Sequence, residues 1–186
     1  EPATIGILET SKLLGMLNIL DEDVSLSLLK ANEKALALKL KDKSVDVHFM
    51  LTDTSVIEKA PTLKQVPEFE LKLDISSEFM NKFVAAKSAL PDVGTFTILT
   101  ADNQADLVIG YSSINTNRIT IPADVSQYAD IKRISFNADL FKDVIQANKE
   151  CKSAVLEISS AGMAKIDFDV DGYHSKYWLV AVENAS

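Results

Sequence analysis

Two histidines, His48 in "DVHFM" and His174 in "GYHSKYW", are the only imidazoles in the chain. His174 follows Asp167 and Asp169 closely, so a small hydrolase could in principle draw its base and carboxylate from these residues. Both histidines lie on or beside stretches that read as strands, where structural or surface roles fit them better. A metal centre needs His, Cys and carboxylates clustered at ligand spacing, and the sequence offers no such cluster. "DFDVDG", Asp167 to Gly172, starts like a calcium loop but lacks the later ligands and the bidentate Glu, so it reads as a strand entering a turn. Cys151 follows a helical stretch and has no identifiable partner base. Phosphate-binding glycine loops and the GxSxG elbow are missing too. These residues argue against catalysis and against a bound cofactor or metal.

The elements around them follow a repeated plan. "TSKLLGMLN" (10–18), "SSEFMNKFV" (76–84) and "NADLFKDVI" (137–145) each open on a residue that can cap a helix. Apolar residues follow three, four and seven places on: Leu13, Leu14 and Leu17; Phe79, Met80 and Phe83; Leu140, Phe141 and Val144. That spacing predicts three amphipathic helices capped by Thr10, Ser76 and Asn137.

Strands are predicted before each helix, in "ATIGIL", "FELKL" and "IKRISF". Three more follow each helix: "VSLSLLKA", "ALALKLKD" and "VDVHFMLTD"; "TFTILTAD", "ADLVIGYS" and "RITIPAD"; "SAVLEIS", "AKIDFDVD" and "YWLVAVEN". The unit is therefore β-α-β-β-β, present three times. Strands following a helix in each unit imply antiparallel sheets with helices on one face, an α+β fold. "TSVIEKAPTLKQVP" (54–67) has two prolines and no sustained period, and it reads as a connector between domains spanning 1–53 and 68–186.

A chain of 186 residues that is 47% hydrophobic can bury a core. No run is long enough for a membrane span, and "EPATIG" is not a signal peptide. A soluble protein in a reducing compartment is the expectation, since a lone cysteine cannot form an internal disulfide. The net charge of −8 disfavours broad nucleic-acid binding yet leaves room for a local basic face. On helical wheels Lys12, Lys82, Lys142 and Lys149 point away from the apolar stripes, as mobile charges suited to phosphate contacts would. Glu78, Asp139 and Asp143 share those faces, which is also what an ordinary solvated helix carries.

Paired β-α-β-β-β units joined by an extended connector resemble the DNA polymerase sliding clamps. The likeness is carried by "TSKLLGMLNILDEDVSLS", by "KAPTLKQVPEFELKL" and by the ending "AKIDFDVDGYHSKYWLVAVEN". In detail these are most similar to the clamps of T-even-type phages, and proliferating cell nuclear antigen has the same plan. The resemblance implies a DNA-clamp fold and a non-catalytic processivity factor. Such a ring encircles duplex DNA without reading its sequence, is opened by a clamp loader and tethers the replicative polymerase. It implies a trimeric homo-oligomer if the full-length chain has four units, no cofactor, and the cytoplasm of a host cell if the protein is phage-encoded. On family position Lys12, Lys82, Lys142 and Lys149 would face DNA.

By the same resemblance the chain begins at the second unit of the first domain. The first unit is absent, and an opening Glu instead of Met suggests a fragment. A partner-peptide pocket would take walls from Val56, Ile57, Leu63, Val66, Val180 and Val182, with the wall from the first unit missing. Ring closure would pair the edge strand "VDVHFMLTD", through Val45, Val47 and Phe49, with "NRITIPAD", through Arg118, Ile119 and Ile121. Two other readings compete. One is a β-rich binding or structural module that shares the fold without forming a ring. The other is the hydrolase, which replacement of His174 by Ala would inactivate while leaving a clamp working.

Overall fold

The computed structural model of the chain describes residues 4–31, 34–58, 63, 65–114 and 116–182. It divides into two compact units, Glu1–Lys64 and Gln65–Ser186. Of the expected connector, 54–67, residues 59–62 and 64 lie outside the described residues, and Thr54–Val56 form a short 3-10 turn. The Asp53 carboxylate caps that turn by accepting from the Ser55 N–H at 2.9 Å.

The first unit holds helix α1 (Thr10–Leu17) and strands β1 (Ser25–Ala31), β2 (Lys34–Lys41) and β3 (Asp46–Met50). The strands pair antiparallel in the order β1-β2-β3. Alternation puts Leu38, Leu40, Val47 and Phe49 on the buried face, where Ile5, Ile7, Leu13 and Met16 pack against them. Two expectations fail here. "ATIGIL" forms no strand within its described residues: a single backbone bond, Thr52 N–H to Gly6 O at 2.9 Å, joins it to the chain beyond β3. Because β3 stops at Met50, no ladder is available to extend that bond. Thr10 is not the cap either. It is the first helical residue, Glu9 is the cap, and no side chain bonds the first turn. The face of α1 that packs on the core runs through Leu13 and Met16, leaving Leu14 and Leu17 exposed.

The second unit contains two complete repeats. The first is β4 (Leu71–Ser76), α2 (Ser77–Ala89), β5 (Thr95–Ala101), β6 (Gln104–Ile109) and β7 (Ile119–Gln127). The second is β8 (Ile134–Asn137), α3 (Ala138–Ala147), β9 (Ser153–Ser159), β10 (Met163–Val170) and β11 (Tyr173–Val180). Both helices are capped as their sequences predict: Ser76 Oγ accepts from the Phe79 N–H at 3.2 Å, and Asn137 Oδ1 from the Leu140 N–H at 2.9 Å. The strand order is β11-β10-β9-β4-β7-β6-β5-β8, with antiparallel neighbours throughout.

That order exchanges the leading strands. β4 lies beside β9 of the second repeat, and β8 lies beside β5 of the first. Beyond the two ends of the order, the Val182 N–H donates to Ser135 O at 2.8 Å, drawing the chain after β11 towards β8. The helices meet over one core: the Phe83 ring is edge-on to Phe141 at 4.8 Å and to Phe96 at 5.3 Å, and Phe96 stacks on Phe141 at 4.9 Å. Such pairs contribute roughly 0.5–1.5 kcal/mol each beyond their buried area. The template overreaches once in this unit, since Leu140 is 55% exposed while Phe141 beside it is fully buried.

Candidate nucleic-acid interface

With Phe79, Met80 and Phe83 of α2 and Phe141 and Ile145 of α3 turned into the core, the opposite helix faces are left to solvent. Lys82 stands on the exposed face of α2, its Nζ 2.7 Å from Glu78 Oε1 one turn earlier. The hydrogen bond from Lys82 holds the Glu78 carboxyl below its ordinary range. Lys142 is half-buried at the edge of the α3 stripe. Lys149 is exposed but follows the cap residue Asn148, so it lies past the helix and not on its face, as the wheel had suggested. In the first unit Lys12 of α1 is exposed and pairs with Glu9 at 3.2 Å. Thus Lys12 pairs with the cap residue of its helix and Lys82 with a carboxylate on its own helix, and exposed pairs of this kind contribute little to stability.

A fifth lysine was missed. Lys87, in the last turn of α2, is 2% exposed. Its Nζ donates to Pro91 O at 3.0 Å and lies 2.9 Å from Asp139 Oδ1 in the first turn of α3. One cation therefore answers the negative end of α2, and its anionic partner answers the positive start of α3. The signal was available: eleven places after the cap, Lys87 continues the stripe of Phe79, Met80 and Phe83.

A second surface is made by backbone. β7 pairs with β6 from Ile119 to Ala123, while β4 reaches only Asp124, Val125 and Gln127. Among the described residues the other side of Ile119–Ala123 is therefore unpaired. Pro122 sits within it, as proline does where a strand borders open space. Between this edge and α2 runs a groove of about 580 Å³, lined among others by Phe79, Lys82 and Ala86 of α2 and by Ile119, Ile121 and Pro122.

No protein-family model matches the chain, and no curated protein sequence matches it. Solved structures do. Proliferating cellular nuclear antigen from Entamoeba histolytica is 19% identical with a TM-score of 0.71, over 97% of this chain and 72% of that one. The PCNA2–PCNA3 complex from Sulfolobus tokodaii gives 13% identity and a TM-score of 0.66, over 92% and 70%. A. fulgidus PCNA, solved with the C-terminal region of FEN-1 bound to it, gives 14% and 0.71, over 96% and 72%. The fold is the sliding-clamp fold.

On this clamp fold the expected edge strands need one correction. β3 borders its sheet, pairing with β2 alone among the described residues, but Val47 and Phe49 point into the first unit's core and Val45 is half-buried against it. Ile121 is likewise buried and Ile119 half-buried; only Arg118, just before β7, is exposed. An association through these strands would use backbone groups, with these apolar side chains already committed to packing.

The six residues expected in a peptide pocket divide between the units. In the first, Val56 and Leu63 are exposed and Ile57 is half-buried, close enough that a Cβ on Gly6 would meet its Cδ1 at 2.8 Å. In the second, Val66, Val180 and Val182 are exposed, Val180 opposite Met163 at the end of β11.

The remaining polar residues are engaged structurally. His174 Nδ1 lies 3.3 Å from Asp169 Oδ2, directly across the β10–β11 ladder, with both side chains open to water. Asp167 is shared between Lys165 at 3.2 Å and Lys176 at 3.4 Å. His48 stands 3.4 Å from Asp46 on β3. "DFDVDG" is β10 running into a tight turn, with Asp171 and Gly172 both at positive φ, 50° and 84°. Cys151 is buried and its thiol donates to Ser153 O at 3.0 Å. Among the described residues no three His, Cys, Asp or Glu side chains gather as a metal site would require, and no helix is long and apolar enough to cross a membrane.

Proposed function

We propose that the protein acts as a sliding clamp: a ring of subunits closes around duplex DNA and tethers the replicative polymerase, without catalysis of its own. The observation carrying this is the second unit, whose two interlocked β-α-β-β-β repeats bring α2 and α3 side by side with Lys82 and Lys142 near their outer faces. The unpaired stretch of β7 supplies an edge on which β3 of another subunit could add, head to tail. The residues 1–53 are read as the second half of a first clamp domain and 68–186 as the second domain, with 54–67 between them. A protein with four units in each chain would close as a trimer.

Topology, not affinity, retains such a ring on DNA, so weakly basic helices suffice. Lys12, Lys82, Lys142 and Lys149 are assigned to phosphate contacts that hold no sequence information. Val56, Ile57, Leu63, Val66, Val180 and Val182 are assigned to a pocket for partner peptides from the polymerase and the clamp loader. Kinship with the clamps of T-even-type phages, and hence a host cytoplasm, is part of this reading on sequence likeness alone.

One observation favours the non-ring binding module. Lys12 is paired with Glu9, the cap of its helix, and Lys82 with Glu78 on its own helix. Topological linkage separates the two readings. Loaded onto closed circular DNA by the loader, a clamp co-elutes with the circle and is lost when the DNA is cut. Equal retention on circular and linear DNA, or none on either, would sink the ring.

A further inference from the structure

Pro122 stands within the open stretch of β7, opposite Asp106 of β6, and fixes which backbone groups that edge offers. Proline has no N–H to give to a ladder, so its nitrogen faces away from β6. Alternation then turns the backbone groups of Thr120 to the open side as well, while Ile119, Ile121 and Ala123 bond β6. Within the stretch the edge presents one donor, the Thr120 N–H, and two acceptors, Thr120 O and Pro122 O. The next position of the same parity, Asp124, is taken by Asp74 of β4.

The free edge of β3 has matching parity. The Leu51 N–H donates to Leu36 O at 2.8 Å, and Val45 O accepts from the Asp42 N–H at 3.1 Å, so the odd-numbered residues bond β2. Asp46, His48 and Met50 therefore turn their backbone groups outwards along the edge. On both strands these edge-facing residues have exposed side chains, as do Thr120 and Pro122. The alternate residues, Val47 and Phe49 on β3 and Ile119 and Ile121 on β7, pack into the cores. Opposite parity on either strand would have turned one apolar layer to solvent on pairing. The two stretches also end alike, β7 at Asp124 beside β4 and β3 before Thr52, whose N–H is held by Gly6 O at 2.9 Å. The five residues of β3 fit antiparallel without displacing β4 when Asp46 lies opposite Pro122, His48 opposite Thr120 and Met50 opposite Arg118.

We infer that Pro122 selects the occupant of this edge and keeps its hold weak, the occupant being β3 of a second copy, on the reading that copies associate head to tail. In that register one group is left over: Asp46 O meets the proline nitrogen where a donor belongs. A second β7 in place of β3 would set Thr120 and Pro122 of each copy opposite one another and orphan two carbonyls. It would also gather Asp106 and Asp124 of both copies on one face, where like charges across strands repel. β3 instead brings Lys39, 3.2 Å from Asp46, to that acidic border.

Pro122→Ala and Pro122→Thr each restore the missing N–H at an exposed position. Both should keep the wild-type circular dichroism and tighten self-association, read by sedimentation, about fivefold, as one added neutral hydrogen bond would. The new amide at position 122 should be protected from hydrogen exchange in the associated form and exchange freely after dilution to monomer. His48→Pro, whose nitrogen would face the free edge and spare the β2 ladder, should abolish association. Unchanged association in both Pro122 variants overturns the inference, and so does an unprotected amide at 122 in the associated form. Association that survives His48→Pro, or a Pro122→Thr chain that stays monomeric at every concentration, overturns it too. Failure of the clamp reading looks different: the Pro122 variants would still tighten association while circular and linear DNA retain the protein equally.

Discussion

Lys87 lies on a stripe that otherwise reads Phe79, Met80 and Phe83, and its charge is tolerable there because two acceptors converge on it. Lys87→Ala removes a charge-assisted bond and the buried stem; we expect a loss of roughly 1.5–3 kcal/mol, read from urea unfolding followed by Trp178 fluorescence. Lys87→Met, which keeps most of the stem, should lose less. Asp42, buried in the turn after β2, presents a different case. Its carboxylate accepts from the backbone N–H groups of Asp21 at 2.8 Å, Ser44 at 2.7 Å and Val45 at 2.6 Å. Those bonds, the one from Asp21 foremost, lower its pKa from 3.8 to about 2. A carboxyl that is harder to protonate folded than unfolded stabilises the fold at higher pH, and the contribution fades as pH falls through this range from 3.8 to about 2. Asp42→Asn should therefore lower stability at neutral pH and flatten that part of the acid titration, measured as the circular dichroism unfolding midpoint against pH.

At the scale of elements, strands were legible because alternation is a local signal: "SAVLEIS" is β9 to the residue, and "TFTILTAD" ends one residue beyond β5. The caps of α2 and α3 were legible for the same reason. Ser76→Ala and Asn137→Ala should each cost about 1 kcal/mol, whereas Thr10→Ala, where no cap bond exists, should leave the unfolding midpoint nearly unchanged. The neighbours of a strand are another matter. Nothing in "FELKL" says that β4 will lie beside β9, because the pattern records which face is buried and not which strand adjoins. The charge network across β4, β9, β10 and β11 was hidden likewise. Burial alone would raise the Glu157 carboxyl, but hydrogen bonds from Lys165 and Lys72 outweigh it and hold it low. The participants are scattered over the sequence and adjoin only through strand order.

For the whole molecule, the four lysines were chosen from helical wheels, and the wheel erred where the helix had already ended, at Lys149. The two strands named from family likeness each have an unpaired side among the described residues, β3 beyond β2 and β7 along Ile119–Ala123, but most of the side chains named on them face inward. If copies associate head to tail along β7, Thr120→Pro should abolish that association. Pro122, two places on, already points its nitrogen the same way, so the β6 ladder should survive, and sedimentation with circular dichroism reads both outcomes. The exchange of β4 and β8 between repeats reaches further. Each repeat leaves its own leading strand in the other's sheet, so neither can complete its hydrogen bonding alone. A chain severed in the loop 128–133 should not yield two independent folding pieces: mixed, the halves should reassemble into a native second unit, and apart they should stay unfolded. The covalent link between repeats raises local concentration, but Ile131 within it is buried in the shared core and its N–H donates to Thr100 Oγ1 at 3.1 Å, so complementing fragments are best made by a cut before Ala129, which leaves that anchor with the second repeat.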